Sequence, residues 1–145
     1  QPDRSIQEVP TEDIIAGAYW KIAPVHGTRH IIAYCGAVAP EAALAAAKTG
    51  AALLAITSAD RLHQQWTALG ARSHINQLLS VLPHQTKIVS VLDGHPATLS
   101  WLGGVNGQAI RPLGVQSYGQ SADIPDLYRI HRIDAAAIEQ AIAED

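Results

Sequence analysis

Two short, almost wholly apolar runs constrain the fold of this chain more than any other feature. They are HIIAYC at residues 30–35 and AALLAIT at residues 51–57. An apolar run of this length without alternation is typical of a strand buried on both faces, as in a parallel sheet covered by helices. The two runs therefore predict a covered, mostly parallel sheet.

Strand and helix patterns alternate through most of the chain, without internal repeats. Such alternation favours helices on both faces of one sheet. We therefore predict an α/β fold, a three-layer α/β/α sandwich with a mostly parallel five-stranded sheet. The other three strands are expected at 18–23, 87–92 and 110–115. A first helix is expected to start at residues 11–13, and further helices near 40–48, 59–69, 75–82, 96–102 and 125–131 and after residue 134.

Sequence signals predict several helix ends. Pro40 suits a first helical position, and Gly50 can supply a left-handed cap at the end of the same helix. Asp134 is expected to cap the last helix. Ile133 and Ile138 stand five residues apart around it, the spacing of a hydrophobic staple.

The three tryptophans are expected in the core or at a subunit interface, because large aromatic side chains dominate both. They are Trp20, Trp66 and Trp101. Trp66 shares one apolar helical stripe with Leu62 and Leu69, at spacings of four and three residues.

Composition excludes several classes of protein. The 145 residues suit one domain, and the net charge of −3, with scattered Lys and Arg, excludes an electrostatic footprint for nucleic acid. No apolar run approaches the roughly 20 residues of a membrane span, so no membrane partner is expected. The single Cys precludes an internal disulfide and favours a reducing compartment, so we expect a cytoplasmic protein.

The first ten residues are polar, carry two prolines and are expected to form a linker, with the domain spanning residues 11–145. The sequence starts Gln-Pro-Asp and contains no Met. We therefore expect it to be a piece of a larger protein.

Candidate ligand-binding residues lie where strands are predicted to end, because ligands of parallel α/β folds bind beyond the carboxyl ends of strands. Cys35 ends one such strand, but without a nearby cation or helix tip it is interpreted as a small buried residue. Asp93 and His95 end another. Residues 93–96 are interpreted, in order, as the strand end, the turn, the helix cap and the first helical residue. The alternative is that Asp93 and His95 form an acid–base pair that faces a ligand.

The glycine-rich stretches differ in their position relative to helices. Residues 103–107 follow a predicted helix, which excludes a phosphate cradle, because anions bind at helix N-termini. Residues 119–121 precede a helix, with Arg111 and Arg129 nearby in sequence, and are the better anion candidate, although a turn without ligand is the simpler interpretation. The predicted ligand crevice comprises Asp93, His95, Tyr118, Gly119, Gln120 and Ser121.

The seven His residues show no pattern typical of a metal site. Zinc ligands usually come in short-spaced pairs, and catalytic zinc needs three protein ligands. His26 and His30 stand four apart, but they span a loop and a strand start rather than one helix face. No metal ligand is therefore predicted.

Four motifs, in order, resemble the C-terminal domain of the transketolase and homodimeric pyruvate dehydrogenase decarboxylating-component family. The first motif, EDIIAGAYWKIAP followed after a loop by IIAYCGAVAPEAALAAA, is similar to the entry into that domain in the pyruvate dehydrogenase component. TSADRLHQQW and DGHPATLSWLGGV fit the same group, and GVQSYGQSADIPDLYRIHRIDAAAIEQAI resembles the family's C-terminal end. The resemblance covers nearly all of residues 11–143.

The resemblance implies a parent enzyme that binds thiamine diphosphate and magnesium through preceding domains, across a homodimer interface. The family's diphosphate signature, which begins Gly-Asp-Gly and ends in paired Asn, is absent from this sequence. No cofactor, metal or catalytic residue is therefore expected in this chain. Its role would be dimer packing and scaffolding in a 2-oxo acid dehydrogenase, with pyruvate as the first substrate to consider, or in a transketolase-like enzyme.

Two alternatives come from other classes of function. A regulatory module would hold a small anion or nucleotide in the predicted crevice. A stand-alone hydrolase would use Cys35 or His95. The resemblance also implies preceding domains of the parent chain and a 2-oxo acid dehydrogenase complex as partners.

Overall fold

The computed structural model describes residues 11–116 and 123–144. Within them the chain forms one five-stranded sheet and seven α-helices. The strands are β1 (Ala18–Ile22), β2 (His30–Cys35), β3 (Ala52–Ile56), β4 (Lys87–Leu92) and β5 (Ile110–Leu113). The helices are α1 (Thr11–Ala16), α2 (Ala39–Thr49), α3 (Ala59–Leu69), α4 (His74–Leu79), α5 (Ala97–Ser100), α6 (Ile124–Ile130) and α7 (Ala135–Ala143).

The sheet confirms the predicted α/β class. Its strand order is β1-β3-β2-β4-β5, and every neighbouring pair is parallel except β1 with β3. Only residues 23–29 join β1 to β2. Parallel strands need a crossover of a dozen or more residues, so β1 runs antiparallel at the edge.

Helices cover both faces of the sheet, as predicted. On one face, α2 and α7 pack on alternate residues of the central strand, Ile32 and Tyr34. On the other, α3, α4 and α5 bury Ile31 and Ala33. Because successive side chains of a strand point to opposite faces, one apolar run supplies both layers of core. This explains why β2 and β3 are apolar at consecutive positions.

The predicted helix ends are confirmed. Gly50 closes α2 at φ 76°, the left-handed conformation that glycine adopts without steric cost. Asp134 accepts a hydrogen bond from the Ala137 N–H at 3.0 Å, and Ile133 and Ile138 are fully buried beside it. The first helix begins at residue 11, as expected. The linker expected at residues 1–10 lies outside the described residues.

The segment after β4 differs from the predicted helix over 96–102. It forms α5 and then a tighter 3₁₀ turn over Trp101–Gly104. A Cβ atom on Gly103 would lie 2.7 Å from Ile110 Cγ2. Gly103 therefore lets the turn pack directly against β5, rather than ending the helix. The fifth strand is also shorter than predicted and ends at Leu113.

The tryptophans lie at the rim of the core rather than inside it. Trp20, Trp66 and Trp101 are each partly buried against the α3–α5 face of the sheet. Burial also decreases along the apolar stripe of α3, since Leu62 is fully buried and Leu69 is 39% exposed. None of the described helices has the length and apolar character needed to cross a membrane.

Candidate functional site

The topology creates a crevice between β2 and β4. These two strands are neighbours, with Cys35 paired to Leu92 at their carboxyl ends. The chain leaves β2 through α2 on one face and leaves β4 through α5 on the other. Ligands of parallel α/β sheets bind where successive connections diverge in this way. We call this place, formed by Cys35, Gly36 and Asp93, the strand-end crevice.

Cys35 has the character of a structural residue. It is partly buried against the α3–α5 face, and burial raises the pKa of its thiol. A raised pKa keeps the thiol protonated near neutral pH and lowers its nucleophilicity. This favours the interpretation of Cys35 as a small residue that ends a strand.

His95 uses its ring nitrogen within its own turn. Its Nδ1 accepts a hydrogen bond from the Ala97 N–H at 3.1 Å, and its carbonyl oxygen accepts one from the Thr98 N–H at 3.0 Å. The helix proper begins at Ala97, one residue later than predicted. The N-cap position thus falls on Pro96 rather than on His95 as predicted, although the His95 Nδ1 lone pair is engaged by the first residue of the helix.

A close backbone contact fixes the turn that carries Asp93 and His95. The Val115 N–H donates to the Gly94 carbonyl at 2.7 Å. A Cβ atom at Gly114 would collide with that carbonyl and would lie 2.7 Å from the Pro96 nitrogen. Only glycine therefore allows the segment after β5 to hold this turn in place.

The charge of Asp93 acts on a residue that sequence patterns did not indicate, Tyr128 of α6. Burial raises the pKa of the Tyr128 phenol, and the negative charges of Asp93 and then Glu41 raise it further. The phenol therefore remains a neutral O–H donor at physiological pH. It can donate to a carbonyl or anionic oxygen at the strand-end crevice.

Glu41, the second carboxylate near Tyr128, already has a structural role. Its Oε2 accepts a hydrogen bond from the Ala135 N–H at 2.8 Å. This bond satisfies one of the unpaired N–H groups in the first turn of α7 and ties α2 to α7. Asp93, which is exposed, is therefore the carboxylate available to a ligand.

The rest of the predicted crevice falls outside the described residues. These positions are Tyr118, Gly119, Gln120 and Ser121, and their part in an anion site stays a prediction. The two cations expected to assist them are engaged elsewhere. Arg111 pairs with Glu144 at 2.7 Å, and Arg129 pairs with Asp126 at 2.9 Å.

The described residues hold no cluster of side chains of the kind that usually binds metals. Nowhere in residues 11–116 and 123–144 do three His, Cys, Asp or Glu side chains gather as metal ligands would.

A cavity of about 580 Å³ opens at the opposite edge of the sheet. The loop between β1 and β2 lines it, together with residues 81–86 before β4. It therefore lies at the amino ends of β2 and β4, away from the edge where parallel α/β folds bind ligands.

Solved transketolase structures share this architecture. The transketolase of Leishmania mexicana superposes with a TM-score of 0.66 at 21% identity, over 92% of this chain and 18% of its own. That of Campylobacter jejuni gives 0.66 at 13% identity, over 92% and 19%. A split-gene transketolase, described as an inactive tetramer of the beta4 type, superposes with a TM-score of 0.56 at 12% identity, over 88% of this chain and 41% of its own.

The chain has the fold of a transketolase C-terminal-like domain. The resemblance seen in its motifs is thereby confirmed at the level of structure. This transketolase-like domain spans about one-fifth of the length of the first two transketolases it matches. In sequence, no protein-family model and no curated protein matches it.

Proposed function

We propose that this transketolase-like domain is the C-terminal scaffold of a thiamine diphosphate-dependent enzyme, a 2-oxo acid dehydrogenase acting on pyruvate or a transketolase. The observation that carries the proposal is the fold match over 92% of this chain and only 18% of a full transketolase. The motif at the entry into the domain favours the pyruvate dehydrogenase branch. Cofactor binding and catalysis would reside in the preceding domains of the parent chain.

A scaffold role agrees with how the polar residues at the carboxyl edge are used. The Glu41 carboxylate accepts a hydrogen bond from the first residue of α7, the His95 ring accepts one from the first residue of α5, and burial raises the pKa of the Cys35 thiol. Two of these groups therefore stabilise helix ends, and the third stays in its less nucleophilic protonated form. The domain would pack in a homodimer in the cytoplasm, within a 2-oxo acid dehydrogenase complex.

Activity of the longer chain that carries this domain tests the proposal. With thiamine diphosphate, magnesium and ferricyanide, the enzyme is expected to oxidise pyruvate, release CO₂ and reduce the ferricyanide. Turnover of ketose phosphates with an aldose acceptor would instead assign the transketolase branch. Absence of both activities in a folded, cofactor-loaded enzyme would overturn the proposal.

The second candidate is a regulatory module, favoured by the position of Asp93 and Tyr128 at the strand-end crevice. There, a neutral phenol and an exposed carboxylate would bind a ligand with both acceptor and donor groups. A thermal-shift screen of metabolites tests this function. One specific stabilising ligand, lost in both Tyr128→Phe and Ser121→Ala, supports the module; no shift across the panel contradicts it.

A further inference from the structure

A cleft of about 330 Å³ opens between α3 and α5, beside the carboxyl ends of the strands. Residues 59–64 line one wall and residues 97–101 the other. This volume lies within the range of roughly 300–1,000 Å³ typical of small-molecule sites. The cleft lies on the α3–α5 face of the sheet, whereas Tyr128 packs on the opposite face.

Trp101, on the α5 wall of the cleft, belongs to an aromatic cluster with two residues of α3. The rings of Trp66 and Trp101 are stacked with centroids 5.4 Å apart and an interplanar angle of 25°. His63 meets both of them edge-on, at 6.0 and 5.1 Å. The Trp101 N–H donates to the Thr98 carbonyl at 2.9 Å, which locks the indole in place. Its polar atom is thereby satisfied, so the indole contributes apolar ring surface to the lining of the cleft.

The opposite wall carries a carboxylate, Asp60, which makes no ion pair or hydrogen bond with the residues that the structure describes. The nearest cation in sequence, Arg61, instead donates from Nη1 to the Ile15 carbonyl at 2.8 Å. Asp60 lies in the first turn of α3, where a helix end contributes about half a positive charge. A full carboxylate charge exceeds that contribution, so the end of the helix offsets only part of the Asp60 charge.

An indole and a carboxylate that line the same cleft favour a planar cation, since Asp60 has no partner among the described residues. A guanidinium group stacks on indole rings and also donates two parallel hydrogen bonds to a carboxylate. An anion would be repelled by Asp60, and a neutral aromatic ligand would form no ion pair with it. Gln64 and Thr98 add an amide and a hydroxyl to the lining of the cleft.

We propose that the cleft between α3 and α5 is a binding site for a guanidinium group, held between Asp60 and the indole of Trp101. This site is independent of the scaffold role and of the strand-end crevice. The guanidinium would come from a small molecule or from an arginine side chain of another protein, and the same recognition chemistry serves both.

Titration with methylguanidinium, followed by tryptophan fluorescence, tests the site. Methylurea is the matched neutral probe, since it has a similar shape without the charge. We expect a saturable change in emission with methylguanidinium in roughly the millimolar range, and none with methylurea. Equal responses to both probes, or no saturation with methylguanidinium, would overturn the proposal.

Two variants locate the binding. Asp60→Asn keeps the shape of the side chain and is expected to weaken binding roughly two- to five-fold, as for an exposed ion pair. The matched control is Glu12→Gln, which neutralises an acid in the first turn of α1 and should leave binding unchanged. Circular dichroism checks that both variants fold. Unchanged affinity in Asp60→Asn would assign the probe to another place and refute the site.

A capped Gly-Arg-Gly peptide distinguishes the two sources of the group. Tighter binding than methylguanidinium, lost with citrulline in place of arginine, identifies an arginine side chain of a protein as the ligand. Weaker binding of the peptide than of methylguanidinium identifies a small molecule. If neither probe responds to Asp60→Asn, the proposal fails.

Discussion

At the residue scale, some polar side chains around the strand-end crevice already accept a hydrogen bond from the protein, and others do not. The His95 ring accepts the Ala97 N–H, and the Glu41 carboxylate accepts the Ala135 N–H. Tyr128 differs from these residues, because burial and then the negative charges of Asp93 and Glu41 raise the pKa of its phenol. Its titration therefore reports directly on the electrostatics of the crevice.

Stability at high pH should depend on Tyr128. Its pKa is raised in the folded state, by burial first and then by Asp93 and Glu41. The fold therefore binds this proton more tightly than the unfolded chain does. The resulting stabilisation is fully present below the ordinary tyrosine pKa of about 10 and is lost as the pH rises through the folded value.

Denaturant unfolding between pH 8 and about pH 11 measures this effect. The free energy of unfolding of the wild type should fall more steeply above pH 10 than that of Tyr128→Phe. Tyr34, whose pKa burial also raises, remains in both proteins and provides a common background. Parallel pH profiles for the two proteins would show that Tyr128 ionises as it would in water.

The cap of the last helix is a second test at this scale. Asp134→Ala removes the hydrogen bond to the Ala137 N–H and should lower the free energy of unfolding by about 1 kcal/mol. The matched control is Asp123→Ala, since Asp123 occupies the same position before α6 but its side chain makes no capping hydrogen bond. Equal losses in urea titration would mean that the Asp134 side chain does not cap α7.

At the element scale, the sequence predicts those features of strands and helices that depend on residues close together in the chain. The bounds of β2 and β4 follow from local apolar runs, and the cap of α7 from Asp134. The position of β1 at the edge depends on pairing with β3, about 35 residues away along the chain, and no local pattern encodes that pairing. The fold class was therefore accessible from sequence, whereas the neighbour of its edge strand was not.

The candidate site was predicted only in part, for the same reason. Asp93 and His95 were identified because a strand visibly ends there. Tyr128 was missed because only the packing of α6 brings it to Asp93, and its sequence context indicates no more than a helix. The stacking of Trp66 on Trp101 likewise joins two helices that are separate in sequence.

The turn after β4 depends on a glycine in the segment after β5. Gly114→Ala would place a Cβ atom against the Gly94 carbonyl and Pro96, all of them backbone contacts that cannot rotate away. We expect a loss of roughly 1–3 kcal/mol in the free energy of unfolding, as for other overpacked sites. Chemical denaturation of the purified variant measures it.

The control for this variant is Gly104→Ala. A Cβ atom there would have its nearest contact at 3.6 Å, with the end of the Trp66 ring. We expect a change of less than about 0.5 kcal/mol. If Gly114→Ala is as stable as Gly104→Ala, the turn does not depend on the close approach of these two backbone segments.

At the scale of the whole molecule, the described residues form a three-layer core around one sheet. The chain spans about one-fifth of a full transketolase. Its carboxyl edge holds side chains that stabilise turns, one neutral phenol and one available carboxylate. This combination suits a domain that scaffolds an enzyme whose reaction takes place on other domains.

Isothermal titration of this chain with thiamine diphosphate and Mg²⁺ tests that account most directly. The sample must first show one cooperative thermal transition, so that a lack of heat reflects a folded protein. We predict no saturable heat up to roughly millimolar cofactor. Saturable binding near one equivalent would place cofactor-binding residues within this domain and contradict the account.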